Sequence, residues 1–479
     1  MNKIQTVYTQ NMKKIQPSYA QNMNIFSILK ICKLHIPKVL KICNNMFMQR
    51  KFYNILLNWK NKTDKLCMLV RGARQIGKTY IIDLFGRTEY ENYIYINFEE
   101  NPSYKDIFSG DLDVNTLTAE ISLRVKDAHL ENGKTLIFLD EIQSCPQART
   151  ALKFFSMDKR YDVIASGSLL GLNYKDVSSY PVGYVQEEKM HSMDFEEFLW
   201  ALGVSSETVS YIRSFYKNSK KIPDATHKKM MEYFRQYAVI GGMPQVVQSF
   251  TNEHNYQTAL KLQRNILLNY QNDIAKYAPV SEKTKARECF LSIPRQLAKE
   301  NRKFQYGIVE EKGTARKFAG SLMWLYDAGI IDFCYNINPP ALPFAGNVVS
   351  SCFKIYMHDI GLLCAMLDDG TQKDIIDDTL KIYKGAIYEN LIADVFSKMQ
   401  KPLYYYKKEN SQGEIDFFIR YKDNATPVEV KSGNKGTSSM DNLLKKAEFP
   451  YGIKLCNGNI GFANKKITLP LYCAMFLNE

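Results

Sequence analysis

Short apolar runs alternate with helical sequence in the part of the chain that follows residue 46. The predicted elements are strands at 66–70, 93–98, 135–139 and 161–165 and helices at 49–59, 78–85 and 147–155. Strands that are apolar throughout, with helices between them, are typical of a parallel sheet covered on both faces. Asp194 and Glu197 predict a capping box at the start of one more helix, which ends at Gly203. We therefore expect a doubly wound parallel α/β domain over residues 46–203.

The middle of the chain changes to helical periodicity. Residues 204–278 show no strand signal and are interrupted by a GGMP turn at 241–244. Two helices and two strand-like segments follow, predicted at 284–299, 314–328, 330–337 and 353–357. Two helices followed by a hairpin suggest a winged helix-turn-helix domain over 279–367. The last part, 368–479, begins with one long predicted helix and continues as a small mixed α/β domain.

The net charge of +13 is concentrated at the start of the chain. Residues 1–50 hold seven Lys, one Arg and no acidic residue, so the remaining residues carry only +5. The segments KIQTVYTQNM and KIQPSYAQNM nearly repeat each other within this region. Residues 1–45 are interpreted as a disordered tail or a spurious extension, with the functional start at Met46 or Met48. Their basic character is also compatible with an organelle-targeting peptide.

Composition excludes several classes of protein. The hydrophobic content of 45% and the charged content of 24% are ordinary for a folded globular chain. No apolar run approaches the roughly 18 residues that a membrane helix needs. The ten cysteines form no CxxC pair, and several lie in apolar runs. This usage favours buried, reduced thiols in a cytoplasmic protein with no membrane partner.

Residues 72–79, GARQIGKT, form a complete G-x-x-x-x-G-K-[ST] phosphate-binding motif. The motif follows an apolar strand and opens a helix, which is the context that such a loop requires. Lys78 is expected to neutralise β- and γ-phosphate oxygens, and the Thr79 hydroxyl to ligate Mg²⁺. The residues predicted to bind the nucleotide in this loop are Gly72, Ala73, Arg74, Gln75, Ile76, Gly77, Lys78, Thr79 and Tyr80.

A second motif, TLIFLDE at 135–141, supplies acidic partners for this loop. A buried strand presents Asp140 at its carboxyl end, where it can hold the Mg²⁺ shell, and Glu141 beside it can activate water. Ser166 follows the next strand and is interpreted either as a γ-phosphate contact or as part of a plain turn. Arg74 and Arg149 lie near the motifs, but we expect both to be surface residues, so no arginine finger is assigned.

Motifs beyond these two occur in a specific order along residues 46–479. They include ASGSLLG, PVGYVQEEKMHSMDFEEFLWA, GGMPQVV, MWLYDAGII, FKIYMHDIGLL, EIDFFI and VEVKSG. Together with the phosphate loop, they resemble the AAA-like P-loop ATPases of bacteria and archaea that carry a C-terminal domain of uncharacterised function. The resemblance implies an ATPase core using ATP and Mg²⁺, a winged-helix linker and a C-terminal domain similar to the restriction-endonuclease fold.

The C-terminal region contains a candidate second site. Alternation over 413–419 places Glu414 and Asp416 on one face of a strand, and Glu429 with Lys431 follows after a turn predicted at 422–427. Glu389, on a preceding helix, adds a carboxylate. With the resemblance, Glu389, Asp416, Glu429 and Lys431 are similar to the D…ExK arrangement of metal-dependent nucleases. The alternative is a solvent-exposed ladder of charges on a hairpin.

Basic residues of the predicted winged helix could contact DNA phosphates. They are Arg295, Lys299, Arg302, Lys303, Arg316 and Lys317. The same charges would serve equally well on a solvated or protein-binding face. Three functions therefore stay open at this point: an ATPase that moves its C-terminal domains, an ATP-gated nuclease acting on DNA, and a slow nucleotide switch for a protein partner. Assembly into a homo-oligomer is also left open.

Overall fold

A computed structural model describes residues 48–168, 183–299, 303–380, 383–408, 413–432 and 436–478. The predicted N-terminal extension, residues 1–45, lies outside the described residues. The first domain is built on five strands in the order β2-β3-β4-β1-β5, and every neighbouring pair is parallel. The strands are β1 Cys67–Gly72, β2 Asn92–Asn97, β3 Thr135–Asp140, β4 Asp162–Ser168 and β5 Val185–Lys189.

Helices cover both faces of this sheet, because its central strands are apolar on both sides. Along β3, Leu136 and Phe138 enter one hydrophobic core and Ile137 and Leu139 enter the other. The helices of this domain are α1 Lys51–Lys60, α2 Lys78–Glu89, α3 Val114–Arg124, α4 Pro146–Asp158 and α5 Phe195–Ala201. The predicted doubly wound parallel α/β core is confirmed.

The capping box at the start of α5 forms as predicted. The Asp194 side chain accepts a hydrogen bond from the Glu197 amide, and the Glu197 side chain accepts one from the Asp194 amide. Strand β5, in contrast, was not predicted. Its five residues, VQEEK, are partly exposed and mostly polar, since β5 lies at the edge of the sheet and pairs only with β1. Edge strands carry a weaker hydrophobic signal than buried ones.

The central segment is helical, as its periodicity predicts. It contains α6 Ser206–Lys217, α7 Asp224–Ile240, α8 Pro244–Glu253 and α9 Tyr256–Tyr277. The turn between α7 and α8 depends on glycine: Gly241 has φ 71°, and a Cβ at Gly242 would lie 1.9 Å from the Met193 carbonyl oxygen. The GGMP sequence thus lets α7 and α8 pack directly against the chain that enters α5.

Seven further helices and eight strands follow in the described part of the chain. The helices are α10 Lys283–Leu297, α11 Tyr306–Val309, α12 Ala315–Asp327, α13 Ile360–Ala365, α14 Thr371–Ile376, α15 Lys384–Lys398 and α16 Ser438–Leu444. The strands are β6 Ile331–Ile337, β7 Val348–Met357, β8 Leu403–Lys407, β9 Glu414–Tyr421, β10 Asn424–Lys431, β11 Gly452–Cys456, β12 Gly461–Ala463 and β13 Lys466–Pro470. They form one sheet in the order β12-β13-β11-β10-β9-β8-β6-β7.

This sheet changes the interpretation of the predicted winged helix, which is not confirmed. Strands β6 and β7 do form an antiparallel hairpin after the two predicted helices, α10 and α12, but β6 also pairs in parallel with β8. The hairpin therefore extends the C-terminal sheet across the predicted boundary between residues 367 and 368. The long helix predicted from about residue 369 is also wrong: it is divided into α14 and α15, and Asp378 between them has φ 59°.

The β9–β10 hairpin forms as predicted, with a shorter turn. The turn was expected over 422–427, but Asn424 already pairs with Tyr421, and only Lys422 and Asp423 connect the strands. Both connecting residues have positive φ angles, of 45° and 62°. Such a two-residue turn matches the twist of the strands it joins.

The cysteines of the described ranges are mostly buried and form no disulfide bonds. The eight cysteines described are unpaired, and all except Cys352 are buried. No helix of the described ranges combines the length and apolar character that crossing a bilayer requires.

Candidate functional site

The phosphate-binding loop connects the end of β1 to the start of α2. Gly77, the last residue before α2, has φ 89°, a left-handed conformation that favours glycine. Gly72 is required for a different reason, since a Cβ there would lie 2.4 Å from the Met190 carbonyl oxygen. The two glycines of the motif therefore shape a loop that wraps tightly before the helix, with the α2 N-terminus available to an anion.

Lys78 points into this loop and is only 7% exposed. Its Nζ donates hydrogen bonds to the carbonyl oxygens of Gly72 (3.0 Å) and Ala73 (2.9 Å). Burial lowers the pKa of Lys78 to about 8, although Glu141 and Asp140 act in the opposite direction. A lysine in this environment gains much by meeting phosphate oxygens, which would compensate its buried charge.

Asp140 lies at the carboxyl end of β3 and faces the loop, as predicted. It is 2% exposed and accepts hydrogen bonds from the Thr79 hydroxyl (2.8 Å) and the Tyr95 hydroxyl (3.1 Å). The Ser166 hydroxyl also donates to it. A threonine hydroxyl beside a carboxylate is the oxygen pair that Mg²⁺ uses next to a triphosphate. These residues fit an Mg²⁺–nucleotide.

Glu141 follows directly in a left-handed backbone conformation, with φ 54° and ψ 44°. Its amide donates to the Asp140 carboxylate (3.1 Å), and its own carboxylate accepts a hydrogen bond from the Gln143 side chain. A non-glycine residue in this conformation stores strain that a functional position often explains. The Glu141 charge also acts to raise the pKa of Lys78, so this carboxylate lies within electrostatic range of the loop.

The remaining loop residues have different surroundings. Tyr80 is 45% exposed, and Gln75 has φ 64°. Arg74 is not a free surface side chain: it donates to Asp273 and Tyr277 of α9 at 3.0 and 2.9 Å. The expected surface position of Arg149 is wrong, since this residue is 2% exposed on the inner face of α4.

Two polar residues of the site were not predicted. Arg50 is buried, and its guanidinium donates to the Ile76 carbonyl (2.9 Å) in the loop and to the Glu197 carboxylate (3.1 Å). Asn97 ends β2 opposite Asp140, with its amide 2.9 Å from the Tyr95 hydroxyl. Asn97 could have been found, because the carboxyl ends of neighbouring parallel strands meet at one edge. The sequence around Arg50 contains no motif that would indicate its contact with the phosphate loop.

The predicted second site divides into two clusters. In the first, Lys431 Nζ lies 2.7 Å from the Glu429 carboxylate and 3.9 Å from that of Asp416. Asp416 also accepts a hydrogen bond from the Val430 amide (2.8 Å). Burial raises the pKa of Glu429, and Lys431 opposes that shift. The hairpin thus brings together three of the four predicted residues.

Glu389 belongs to the second cluster, with a lysine that was not predicted. The fully buried Lys354 lies 3.0 Å from the Glu389 carboxylate and 2.5 Å from that of Glu414, and the Tyr356 hydroxyl donates to Glu389 (2.6 Å). Within the described part of the chain, no group of three or more His, Cys, Asp or Glu residues is arranged to hold a metal ion. Metal-dependent cleavage at Glu389, Asp416, Glu429 and Lys431 therefore stays a prediction.

The basic residues predicted to meet DNA are largely at the surface. Arg295, Lys299 and Arg316 are exposed, and Lys317 is paired with Glu310. Lys303 is half-buried, and Arg302 lies outside the described residues. A DNA-binding role for this set stays a prediction.

Family models match three successive parts of the chain. An AAA domain matches residues 64–199, and a domain of unknown function, DUF4143, matches residues 384–474. The chain therefore combines an AAA domain with a DUF4143 domain near its C-terminal end. A second domain of unknown function, DUF8612, matches residues 231–373 between them. The resemblance inferred from the motifs is confirmed, and the likeness of the C-terminal domain to restriction endonucleases stays a prediction.

Solved structures of several proteins align with the chain at low similarity. The Walker-type ATPase PABY2304 of Pyrococcus abyssi covers 67% of this chain and 96% of its own, at 13% identity and a TM-score of 0.41. The Aeropyrum pernix ORC1 protein, solved with DNA, covers 71% and 92%, at 12% identity and 0.27. Thermotoga maritima RuvB covers 60% and 89%, at 15% identity and 0.29. No curated protein is a significant match.

Proposed function

We propose that this protein binds Mg²⁺–ATP at the 72–79 loop, hydrolyses it, and transmits the nucleotide state to its C-terminal sheet. The observation that carries the proposal is the contact between Thr79 and Asp140, with Glu141 adjacent in a strained turn. That geometry joins the two motifs, which are about 60 residues apart in sequence, into one catalytic unit.

Each residue of the unit has a chemical role. The loop amides and the Lys78 ammonium would hold the phosphates, whose oxygens would replace the Gly72 and Ala73 carbonyls as acceptors for Nζ. Thr79 and Asp140 would hold Mg²⁺, which neutralises charge on the phosphate oxygens. Glu141 accepts the proton of the attacking water, and Ser166 orients Asp140 through its hydroxyl.

A chain of buried polar contacts supports transmission from this site. The hydroxyl of Tyr270, on α9, donates to the Arg74 carbonyl of the phosphate loop at 3.2 Å and lies 3.2 Å from Nε2 of His358. His358 follows β7 of the C-terminal sheet. Burial lowers the pKa of His358, so its ring is neutral near pH 7. The loop and the sheet are thus connected through one α9 side chain.

Asp359, the next residue, connects three parts of the chain. Its buried carboxylate accepts hydrogen bonds from the Ser192 hydroxyl (2.7 Å) of the first domain and from the Gly242 amide (2.8 Å) of the central helices. Lys398 of α15 lies 3.6 Å from it and donates to Asp394 (2.9 Å). Such a packed polar junction can have two arrangements and so couple domains.

ATP turnover and hydrogen-exchange protection, both measured on the full chain, test the proposal. We expect phosphate release that requires Mg²⁺, and none above the buffer rate in Lys78→Ala, because that variant lacks the charge that holds the phosphates. Hydrogen exchange should show altered protection near His358 and Asp359 on addition of Mg²⁺–ATP to the wild type only. Turnover retained by Lys78→Ala would refute the site, and protection unchanged by nucleotide would refute the transmission.

The lowered pKa of Lys78 predicts that nucleotide binding weakens in alkali. As the pH rises through about 8, Lys78 of the free protein loses its proton, and the neutral amine no longer attracts phosphate. The affinity for Mg²⁺–adenylyl imidodiphosphate should be about tenfold lower at pH 9 than at pH 7. Lys78→Arg keeps its charge over this range, so its affinity should hardly change. Fluorescence titration checks this, and parallel losses in both proteins would contradict it.

A further inference from the structure

Three side chains on one face of α9 contact a single residue of the phosphate loop. Asp273 accepts a hydrogen bond from Nη1 of Arg74 at 3.0 Å, and the Tyr277 hydroxyl accepts one from Nη2 at 2.9 Å. The Arg74 guanidinium also lies 4.9 Å from the centre of the Tyr277 ring. Tyr270, one turn earlier, binds the Arg74 carbonyl oxygen. Arg74 is therefore the main polar link between the loop and α9.

The ion pair between Arg74 and Asp273 is incomplete. Asp273 is only 6% exposed, yet its Oδ2 has no hydrogen-bond partner within the described ranges, and the same is true of Nε of Arg74. A desolvated ion pair is stable only when its remaining polar atoms are also satisfied. Burial raises the pKa of Asp273, which agrees with a carboxylate that is poorly compensated. Arg74 therefore keeps an unused donor, Nε, for a further anionic acceptor.

Arg74 is also close to the charges of the nucleotide site. Its positive charge contributes to lowering the pKa of Lys78, and Glu141 acts on the pKa of Arg74. Both effects require that the guanidinium lies within electrostatic range of the pocket. A triphosphate held by the loop would offer Arg74 several anionic oxygens, with better hydrogen-bonding geometry than the half-satisfied Asp273 carboxylate or the Glu99 carboxylate, which lies 3.9 Å from Nη2.

We infer that Arg74 is a nucleotide-responsive arm that exchanges Asp273 of α9 for the γ-phosphate of ATP, so that ATP, and not ADP, loosens α9 from the loop. The inference rests on the proposed function, because it takes the loop as an ATP site. Asp273 acts only through Arg74, which makes it a positioning residue that competes with the nucleotide. The release of α9 from Arg74 would also affect the residues that contact the other end of this helix.

Helix α9 is anchored to the domain junction at its other end. The Gln263 amide donates to the carbonyl oxygens of Val239 and Ile240, at 2.8 and 2.9 Å, where α7 ends before the GGMP turn. Arg264 lies 2.6 Å from the carboxylate of Asp369, which precedes α14. A shift of α9 would therefore reach the turn whose Gly242 amide binds Asp359.

The test compares the affinities of the full chain for Mg²⁺–adenylyl imidodiphosphate and for Mg²⁺–ADP. Asp273→Asn removes the competing charge, so we expect it to bind the triphosphate analogue about tenfold more tightly and ADP within about twofold of the wild type. Damage to the fold would weaken both ligands, which is the opposite direction. Arg74→Gln should bind the analogue about tenfold less tightly than the wild type. The double variant, Arg74→Gln with Asp273→Asn, should bind it as weakly as Arg74→Gln alone.

A second variant keeps the inference falsifiable if Asp273→Asn does not fold. Tyr277→Phe loses the acceptor for Nη2 of Arg74 but keeps the ring, and it should also bind the analogue more tightly. A wild type that binds no nucleotide would refute the proposed function itself. A wild type that binds both ligands, with Asp273→Asn or Tyr277→Phe unchanged or weakened towards the analogue, would overturn only the inference. An equal gain towards ADP would overturn its dependence on the γ-phosphate.

Discussion

Replacing Glu141 by Gln is expected to lower kcat for ATP hydrolysis by about 10²–10⁴-fold, the usual contribution of a general base. The amide keeps the size of the carboxylate and can keep the contact with Gln143, but it cannot accept a proton from water. The loop, Lys78 and the pair of Thr79 and Asp140 are unchanged. The affinity for Mg²⁺–ATP should therefore stay within about twofold, since only an interaction specific to the transition state is removed.

Single-turnover phosphate release, with a parallel binding titration, checks this expectation. The matched control is Glu120→Gln on α3, a partly exposed glutamate that forms an (i, i+4) pair with Arg124, and its turnover should equal that of the wild type. If Glu141→Gln hydrolyses ATP as fast as the control, another group activates the water. If Glu141→Gln instead loses nucleotide binding, the Glu141 side chain maintains the left-handed turn, and the assignment of Glu141 as the general base is wrong.

The candidate site was predictable where its residues are close in sequence or end neighbouring strands. The loop residues, Asp140 and Ser166 lie together because parallel strands place their carboxyl ends on one edge. Arg50 and Asp273 could not be found in this way. Arg50 reaches Ile76 and Glu197 from outside the sheet, and Asp273 reaches Arg74 across 199 positions of the chain. Such contacts depend on how helices dock, which periodicity does not encode.

The fold, too, was predictable where the signal is local and unpredictable where it depends on how distant elements dock. Strands β1 to β4 were predicted because each contains a short apolar run that packs into the two hydrophobic cores. Helix order suggested a wing at β6 and β7, but it did not reveal that β6 would pair with β8, which follows three intervening helices. The unpaired backbone groups at a sheet edge can form hydrogen bonds with any strand that docks there. Tertiary packing decides which strand does so. The C-terminal sheet is thus larger than sequence order implied.

The position most sensitive to substitution outside the ATP site should be Asp359. Asp359→Ala would leave the Ser192 hydroxyl, the Gly242 amide and the Lys398 ammonium without their shared acceptor in a buried junction. Breaking a buried charged network by removing one partner costs about 3–5 kcal/mol. We expect a loss of that size in the free energy of unfolding, measured from urea transitions followed by circular dichroism.

Asp369→Ala is the matched control for this loss, because it removes the same side chain ten positions later in an exposed ion pair with Arg264. Its cost should not exceed about 1 kcal/mol. A loss at Asp359 no larger than that of the control would mean that water or repacking replaces the carboxylate. The junction would then be too weakly held to carry a signal between the ATP site and the C-terminal sheet. A large loss at Asp359 alone would instead locate the mechanical connection of the three parts of the chain at one carboxylate.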